Sequence, residues 1–524
     1  MAETYNELRD PLSVHRFALD LQEAVPTEQF VVGGINLWIL IRHTLFQFSL
    51  AQASAVIQQI YGKPSRTGRI FQEGGERDID LSNSNIVSIG ETTLIATSRN
   101  NSELAKDGLL FVELPSDYTG TLGGVNVNIY ADPVISLLKD EYACAKLCRF
   151  QQNLLRKDKW FEPVYFTLPG SRLPHYSADL VRVYDVIAAI NRFIRDKGLS
   201  YKLDADTMID RIAVVLSSYH AALGILSQFE PRIVFTQNFN AFEKLGFIAA
   251  CKKLGVTSVD LMHGIQDRNN IYHDFPPAAA DQIHPYPDVL WCWGEVTRRN
   301  LEQEAAKRPQ MWRKAIVSGF PWKTLHRSWY KDAKIEKLKT MLPAGQQIAL
   351  YLHDLTPQSL PYDGYMPTVI LEAMRKSAGN VFWLIRLHPR SIHLLPDIAK
   401  SLDRSDVTNY EVSFSSEAML DDLFEIADSI VTAYSVAGLE GASLGLKCIT
   451  FDPVGAATFA PYIAGGHAVY CETAEAILSA MSAGPTNPVP LAYVDPGVDA
   501  TRRALMETLR MASAGNGAPD HGNS

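Results

Sequence analysis

From Arg232 onward, short apolar runs alternate with amphipathic segments, and this alternation restricts the chain to a parallel α/β architecture. The run Ile233–Gln237 predicts a buried strand, Ala241–Leu254 an amphipathic helix closed by Gly255, and Thr257–Met262 the next strand. Strand, helix and parallel strand form a βαβ unit, whose crossover is right-handed. Strands are also expected at Asp288–Trp293 and Ala315–Ser318, flanking a charged helix at Glu295–Arg308. A basic, polar helix at Asp332–Met341 then marks a boundary, and the alternation restarts. Strands are expected at Gln347–Leu352, Val381–Leu387, Tyr410–Phe414, Ser429–Ala433, Cys448–Phe451 and Ala468–Cys471. Helices at Pro367–Ser377, Ile392–Leu402, Glu417–Ala427 and Val436–Leu444 separate them. The pattern predicts two doubly wound, Rossmann-like sheets in tandem. The expected units are an N-terminal α/β domain over residues 1–321, a C-terminal α/β domain over 322–511 and a frayed tail over 512–524.

Composition narrows the partners. The chain has 524 residues, 47% of them hydrophobic, enough for two large cores. Its 58 acidic residues outnumber 49 basic ones, for a net charge of −9, so no broad basic field exists to hold nucleic acid. The six cysteines are few and lack zinc spacing, and Cys144 and Cys148 have the interval of a packed helix face. The first residues lack the order of a secretory signal, which predicts a cytoplasmic protein. The apolar run Val31–Ile41 is too short to span a bilayer, for which a helix needs ~20 residues. Ile35, Trp38, Ile39, Arg42, Leu45 and Phe46 fall at helical spacing, which suits either a core helix or one lying on a membrane surface.

In doubly wound sheets, ligands bind beyond the carboxyl ends of the strands. Four such places carry chemistry. His263 and Gly264 follow a strand and open a long connection; the imidazole is either a site contact or a strand-end cap. Arg386 and His388 share one face of a strand end closed by Pro389, and two donors there suit an anionic oxygen, or else serve the backbone. Ser435 stands at a strand-to-helix junction, as a plain cap or as a phosphate contact aided by the first helix amides. Glu440, farther along that helix, is within reach of a ribose hydroxyl or simply solvated. Asp132 precedes a helix begun at Pro133 and is either an N-cap or a catalytic carboxylate. Three tempting patterns are weaker. Asp78 with Asp80 and Asp204 with Asp206 match the Asp-x-Asp metal pattern at chance frequency. Gly441, Ser443 and Gly445 match a nucleophile elbow, yet lie inside a helix, where small residues serve close packing.

The order of these segments resembles the GT-B glycosyltransferases, and among them the bacterial surface-polysaccharide enzymes that use CMP-activated acids of the sialic acid or Kdo type. Arg386–Pro389 resembles that group's His-Pro motif, and Tyr434–Ser435 followed by Gly438–Gly445 resembles its Ser motif and helix. His263–Gly264 and Val317–Pro321 resemble the His-Gly and Gly-x-Pro segments of capsule and teichoic-acid-type transferases. The resemblance implies two Rossmann-like domains facing a cleft, with the nucleotide on the second domain at Arg386, His388, Pro389, Ser435 and Glu440. It also implies transfer without a resident metal or other cofactor. The acceptor, a glycan or glycolipid hydroxyl, would approach from the first domain, where Asp132 and His263 are the acid–base or nucleophile candidates. Arg99, Arg268 and Arg386 are the candidate cations for an acidic donor. Such an enzyme would work in the cytoplasm, with association to the inner membrane face as a further expectation. A CDP-glycerol or UDP-sugar transferase, a UDP-sugar epimerase of the same architecture, a serine hydrolase built on Ser435, Asp452 and His467, and a non-catalytic scaffold are the alternatives.

Overall fold

Seven parallel strands of three to six residues form the body of the first sheet. A computed structural model describes residues 11–47, 85–96, 106–118, 120–122, 124–151, 158–171, 173–264, 279, 281–306, 314–329, 333–353, 362–363, 365–483, 494–495 and 497–515. In chain order the strands of the first sheet are β1 (Asn85–Ile89), β2 (Thr92–Ala96), β3 (Leu109–Glu113), β4 (Cys144–Arg149) and β5 (Val164–Phe166). They continue as β6 (Ile233–Gln237), β7 (Thr257–Leu261), β8 (Val289–Cys292) and β9 (Lys314–Val317). The order across the sheet is β9-β8-β7-β6-β3-β4-β5-β2-β1, with β1 and β2 antiparallel to their neighbours. The predicted βαβ unit is present: β6 and β7 pair in parallel from Ile233 opposite Thr257 to Gln237 opposite Leu261, joined by the helix Phe242–Leu254, which ends in left-handed Gly255. The chain steps outward from β3 in both directions, so the sheet has a switch point between β3 and β6.

The second sheet comprises β10 (Gln347–His353), β11 (Val381–Leu387), β12 (Tyr410–Glu411), β13 (Ser429–Thr432), β14 (Lys447–Thr450) and β15 (Ala468–Tyr470). Its order, β12-β11-β10-β13-β14-β15, is parallel throughout, with the switch point between β10 and β13. The expected GT-B-like architecture of two doubly wound Rossmann-like sheets is thus what the chain adopts.

Three local expectations change. Cys144 and Cys148 lie in a strand, not on a helix: β4 runs between β3 and β5, and sheet pairing on both sides overrides the helical interval. The strand expected to reach Phe414 stops at Glu411, because Glu411 accepts bonds from the amides of Phe414 and Ser415 and starts the helix Ser413–Glu417. The terminal helix Val498–Gly515, placed by sequence with the second domain and running into the expected tail, packs on the first sheet. Ala504 and Leu505 join the core beside Val289, Trp291 and Ile316, and the Trp291 indole donates to Thr508 Oγ1 at 3.1 Å. The segment at 38–47 is helical, and Trp38, Ile39, Arg42 and Leu45 are buried in the first core, as the core reading requires. The apolar helix Ala205–Phe229 is long enough to cross a membrane, yet it packs along the helix Phe242–Leu254 inside that same core.

Candidate functional site

The carboxyl edges of the two sheets are apposed. One apolar cluster joins Met262 after β7, Trp293 after β8 and Phe320 after β9 with Met419 and Val436 of the second sheet's loops. Trp293 and Phe320 stack at 4.5 Å, Tyr130 stacks on Phe320 at 5.6 Å, and the Tyr130 hydroxyl donates to the His263 carbonyl at 3.2 Å. Positive φ at Gly319 lets the chain turn here; a β-carbon would stand 2.6 Å from the Asp495 carbonyl oxygen. Tyr130, Met262, Trp293, Ser318, Gly319 and Phe320 line a cavity of about 20 Å³, room for a single water.

On the first domain, Asp132 is fully buried in the first turn of the helix Ala131–Leu138. It does not cap that helix. Its Oδ2 accepts from the Asn128 amide at 2.8 Å and its Oδ1 from Lys146 Nζ at 2.7 Å, while Lys146 also reaches Glu113 Oε2 at 3.0 Å. The Asn128 side chain donates to Glu113 and accepts from the amides of Tyr130 and Ala131, so this network holds the turn that presents Tyr130. Burial raises the Asp132 carboxyl to about 6 against the pull of Lys146. A second buried pair, Asp117 with Lys244 at 2.6 Å, lies at the switch point, and Lys244 also donates to the Gln237 carbonyl. Neither network was legible in sequence, because Glu113, Asp117, Lys146 and Lys244 meet only when β3, β4 and the segment after β6 are laid side by side.

His263 stands where expected, one residue beyond Met262. Its Nδ1 is buried with no hydrogen-bond partner among the described residues, and burial, with Lys244 adding to it, lowers the imidazole to about 4.

On the second domain, His388 follows β11 and its amide donates to the His353 carbonyl at 3.0 Å, which places it beside the switch point. Arg386 turns to structural use: its Nη1 donates to the carbonyls of Ser415 (3.1 Å) and Ser416, and burial lowers it to about 10. Pro389 opens the 3₁₀ turn Pro389–Leu394. Ser435 does not cap its helix. The helix Ala437–Ser443 has Val436 at the N-cap without a side-chain cap bond, while the Ser435 amide donates to Thr432 Oγ1 at 3.0 Å. The Ser435 hydroxyl has no bonding partner among the described residues. Glu440 is paired with Lys323 of the helix Trp322–Trp329. Gly441 packs as expected of a small residue, since a β-carbon would meet Ile430 Cδ1 at 2.0 Å.

The hydrolase arrangement does not form. Ser435 and Asp452 follow the carboxyl ends of β13 and β14, whereas His467 precedes β15 and is level with Lys447 at the opposite end of β14. At 3.3 Å per residue the separation is roughly 15 Å. Asp452 instead caps the helix Pro453–Thr458. Asp204 likewise caps a helix through Thr207, and the described residues contain no cluster of three or more His, Cys, Asp or Glu suited to a metal. Asp78, Asp80, Arg99 and Arg268 lie outside the described residues.

No protein-family model and no curated protein matches the sequence. Solved structures similar in shape include UDP-N-acetylglucosamine 2-epimerase from Rickettsia bellii, with 15% identity, a TM-score of 0.45 and coverage of 78% of this chain and 98% of that one. The corresponding epimerase from Neisseria meningitidis, bound to UDP-GlcNAc, has 13% identity and a TM-score of 0.44, over 77% and 99%. Alpha,alpha-trehalose 6-phosphate synthase from Burkholderia multivorans has 13% identity and a TM-score of 0.43, over 78% and 100%.

Proposed function

We propose that this chain is a nucleotide-sugar enzyme, with the nucleotide on the carboxyl edge of the second sheet and the sugar facing the first. The observation that supports this reading is the apposition of the two carboxyl edges, with a polar group on each that has no partner among the described residues: the Ser435 hydroxyl on one and His263 Nδ1 on the other. A sugar separating from its nucleotide leaves negative charge on the phosphate. In this reading the Ser435 hydroxyl and His388 would receive that charge, and no metal is called on. Glu440 would take ribose hydroxyls. Pro389 would fix the turn that carries His388, and Arg386 would stiffen the same edge through its carbonyl contacts.

On the sugar side, His263 is neutral at pH 7 in the free enzyme, and an arriving phosphate would raise its basicity. Asp132 acts in this reading through Tyr130, by fixing the turn before it, because its carboxylate is committed to Lys146 and Asn128. Transfer to a glycan hydroxyl, with a CMP-linked ulosonic acid as donor, is the reading the sequence motifs favour. Epimerisation of a UDP-sugar uses the same bond cleavage, needs no acceptor and is the activity named for two of the proteins similar in shape.

Incubation with UDP-N-acetylglucosamine or a CMP-linked ulosonic acid, with and without a polysaccharide acceptor, followed by NMR of the anomeric protons, tests the proposal. A new glycoside formed only with acceptor selects transfer, and an epimer formed without it selects isomerisation. Donors left unchanged, together with an absence of nucleotide binding, would refute a nucleotide-sugar enzyme.

A further inference from the structure

The helix Trp322–Trp329 links the two domains and carries a buried lysine that the proposed chemistry leaves without a role. Trp329, at its end, stacks on Trp160 of the first domain at 4.8 Å. At its start, Lys323 has no side-chain exposure and lies between the carboxylates of Asp421 and Glu440, both from the second domain. The two carboxylates are not equivalent. Asp421 is fully committed, with Oδ1 at 2.6 Å from Lys323 Nζ and Oδ2 at 2.6 Å from the Trp322 indole nitrogen. Glu440 gives Oε2 to Lys323, and its Oε1 has no partner among the described residues. The rings of Phe320 and Phe424, each a little over 5 Å from Nζ, complete the surround and exclude water.

We infer that Lys323 is a positioning residue for the nucleotide site: by anchoring one oxygen of Glu440 it aims the other at the ribose hydroxyls of the bound nucleotide. This rests on the nucleotide-binding reading above. With both oxygens bonded, Asp421 is the fixed counter-ion that keeps the ammonium in place, and Glu440, with one oxygen bonded, is the member left to meet a ligand. A buried ammonium held by two acids is costly to move, so the Glu440 carboxylate is pre-oriented before the nucleotide arrives.

The test is selectivity between ribose and deoxyribose, because a purely structural lysine would alter both affinities alike. Calorimetric titration of the full chain with CMP and 2′-deoxy-CMP, and with UDP and 2′-deoxy-UDP, should show wild-type protein preferring the ribonucleotide about tenfold. Lys323→Met and Glu440→Gln should each reduce the ratio to near one, the double variant should lose nothing further, and Lys323→Arg should recover part of it. Since the ratio is independent of the folded fraction, a less stable variant still reports. Binding without preference in wild type, or a preference retained in Lys323→Met, would overturn the role of Lys323. An absence of binding to all four ligands would overturn the nucleotide-site reading itself.

Discussion

Burial lowers the His263 imidazole from an ordinary value of 6.5 to about 4, and this fixes a pH dependence. The unfolded chain takes up a proton at this histidine below about pH 6.5, whereas the folded chain resists it until about pH 4. The contribution of His263 to stability is therefore complete above pH 6.5 and is lost as pH falls toward 4. In His263→Gln the melting temperature should fall less between pH 7 and pH 5 than in wild type; parallel slopes would place the histidine in a different environment. Asp132 offers a second residue-scale test. Asp132→Ala removes one of two acids from the buried Lys146 and frees the Asn128 turn, so chemical denaturation should show a loss of about 3 kcal/mol. Nucleotide affinity should be unchanged, because the carboxylate is on the opposite domain. A stable Asp132→Ala protein without turnover would make Asp132 a direct participant in the reaction instead.

At the scale of elements, the loop Ala433–Ser435 is held from below by the helix Pro453–Thr458. Thr450 Oγ1 donates to the Ala433 carbonyl, and a β-carbon on Gly455 would stand 1.9 Å from that same oxygen. The obstruction is backbone, which cannot rotate aside. Gly455→Ala should displace the loop and weaken nucleotide binding at least tenfold, while Gly441→Ala, which crowds Ile430 away from the loop, should cost about 1–3 kcal/mol of stability and leave affinity nearly intact. Equal effects of the two on affinity would separate the Ser435 loop from the nucleotide site. Elsewhere in the two sheets, strands were readable from sequence where a short apolar run is set off by proline or glycine, as by Pro231 before one and by Gly379 and Pro389 around another. Ile233–Gln237 and Val381–Leu387 have the predicted ends. The first sheet's other half was readable only in part: the strand-like runs Asn85–Ile89 and Leu109–Leu114 correspond to β1 and β3. β4 and β5 are supplied by a stretch of mixed pattern, and the Cys144–Cys148 interval fits either period until neighbouring strands decide it. Site legibility followed the same rule. His263, His388 and Ser435 could be placed because each directly follows a recognisable strand, whereas Lys323 and Lys244 acquire meaning only from partners distant in sequence.

The whole molecule is two α/β sheets whose carboxyl edges meet, tied by the linker helix at Trp322 and by the terminal helix that returns to the first sheet. Truncation after Gly497 should expose Trp291 and its neighbours, since Thr501 and Thr508 bond to Ser318 and Trp291 from the missing helix. The truncated chain should melt lower than the full one, and an unchanged melting curve would contradict a structural role for that helix. Because the chain is acidic overall, with a net charge of −9, a nucleotide at one edge would depend on a few local donors. The central claim is therefore tested most directly by thermal unfolding of wild type and His388→Ala in the presence of CMP, CDP, UDP and GDP. A ligand at a hundred times its Kd stabilises the native state by about 2.7 kcal/mol. The account predicts that at least one pyrimidine nucleotide raises the melting temperature of wild type and that His388→Ala, folded as before, loses most of that rise; no shift with any of the four nucleotides at millimolar concentration would contradict it.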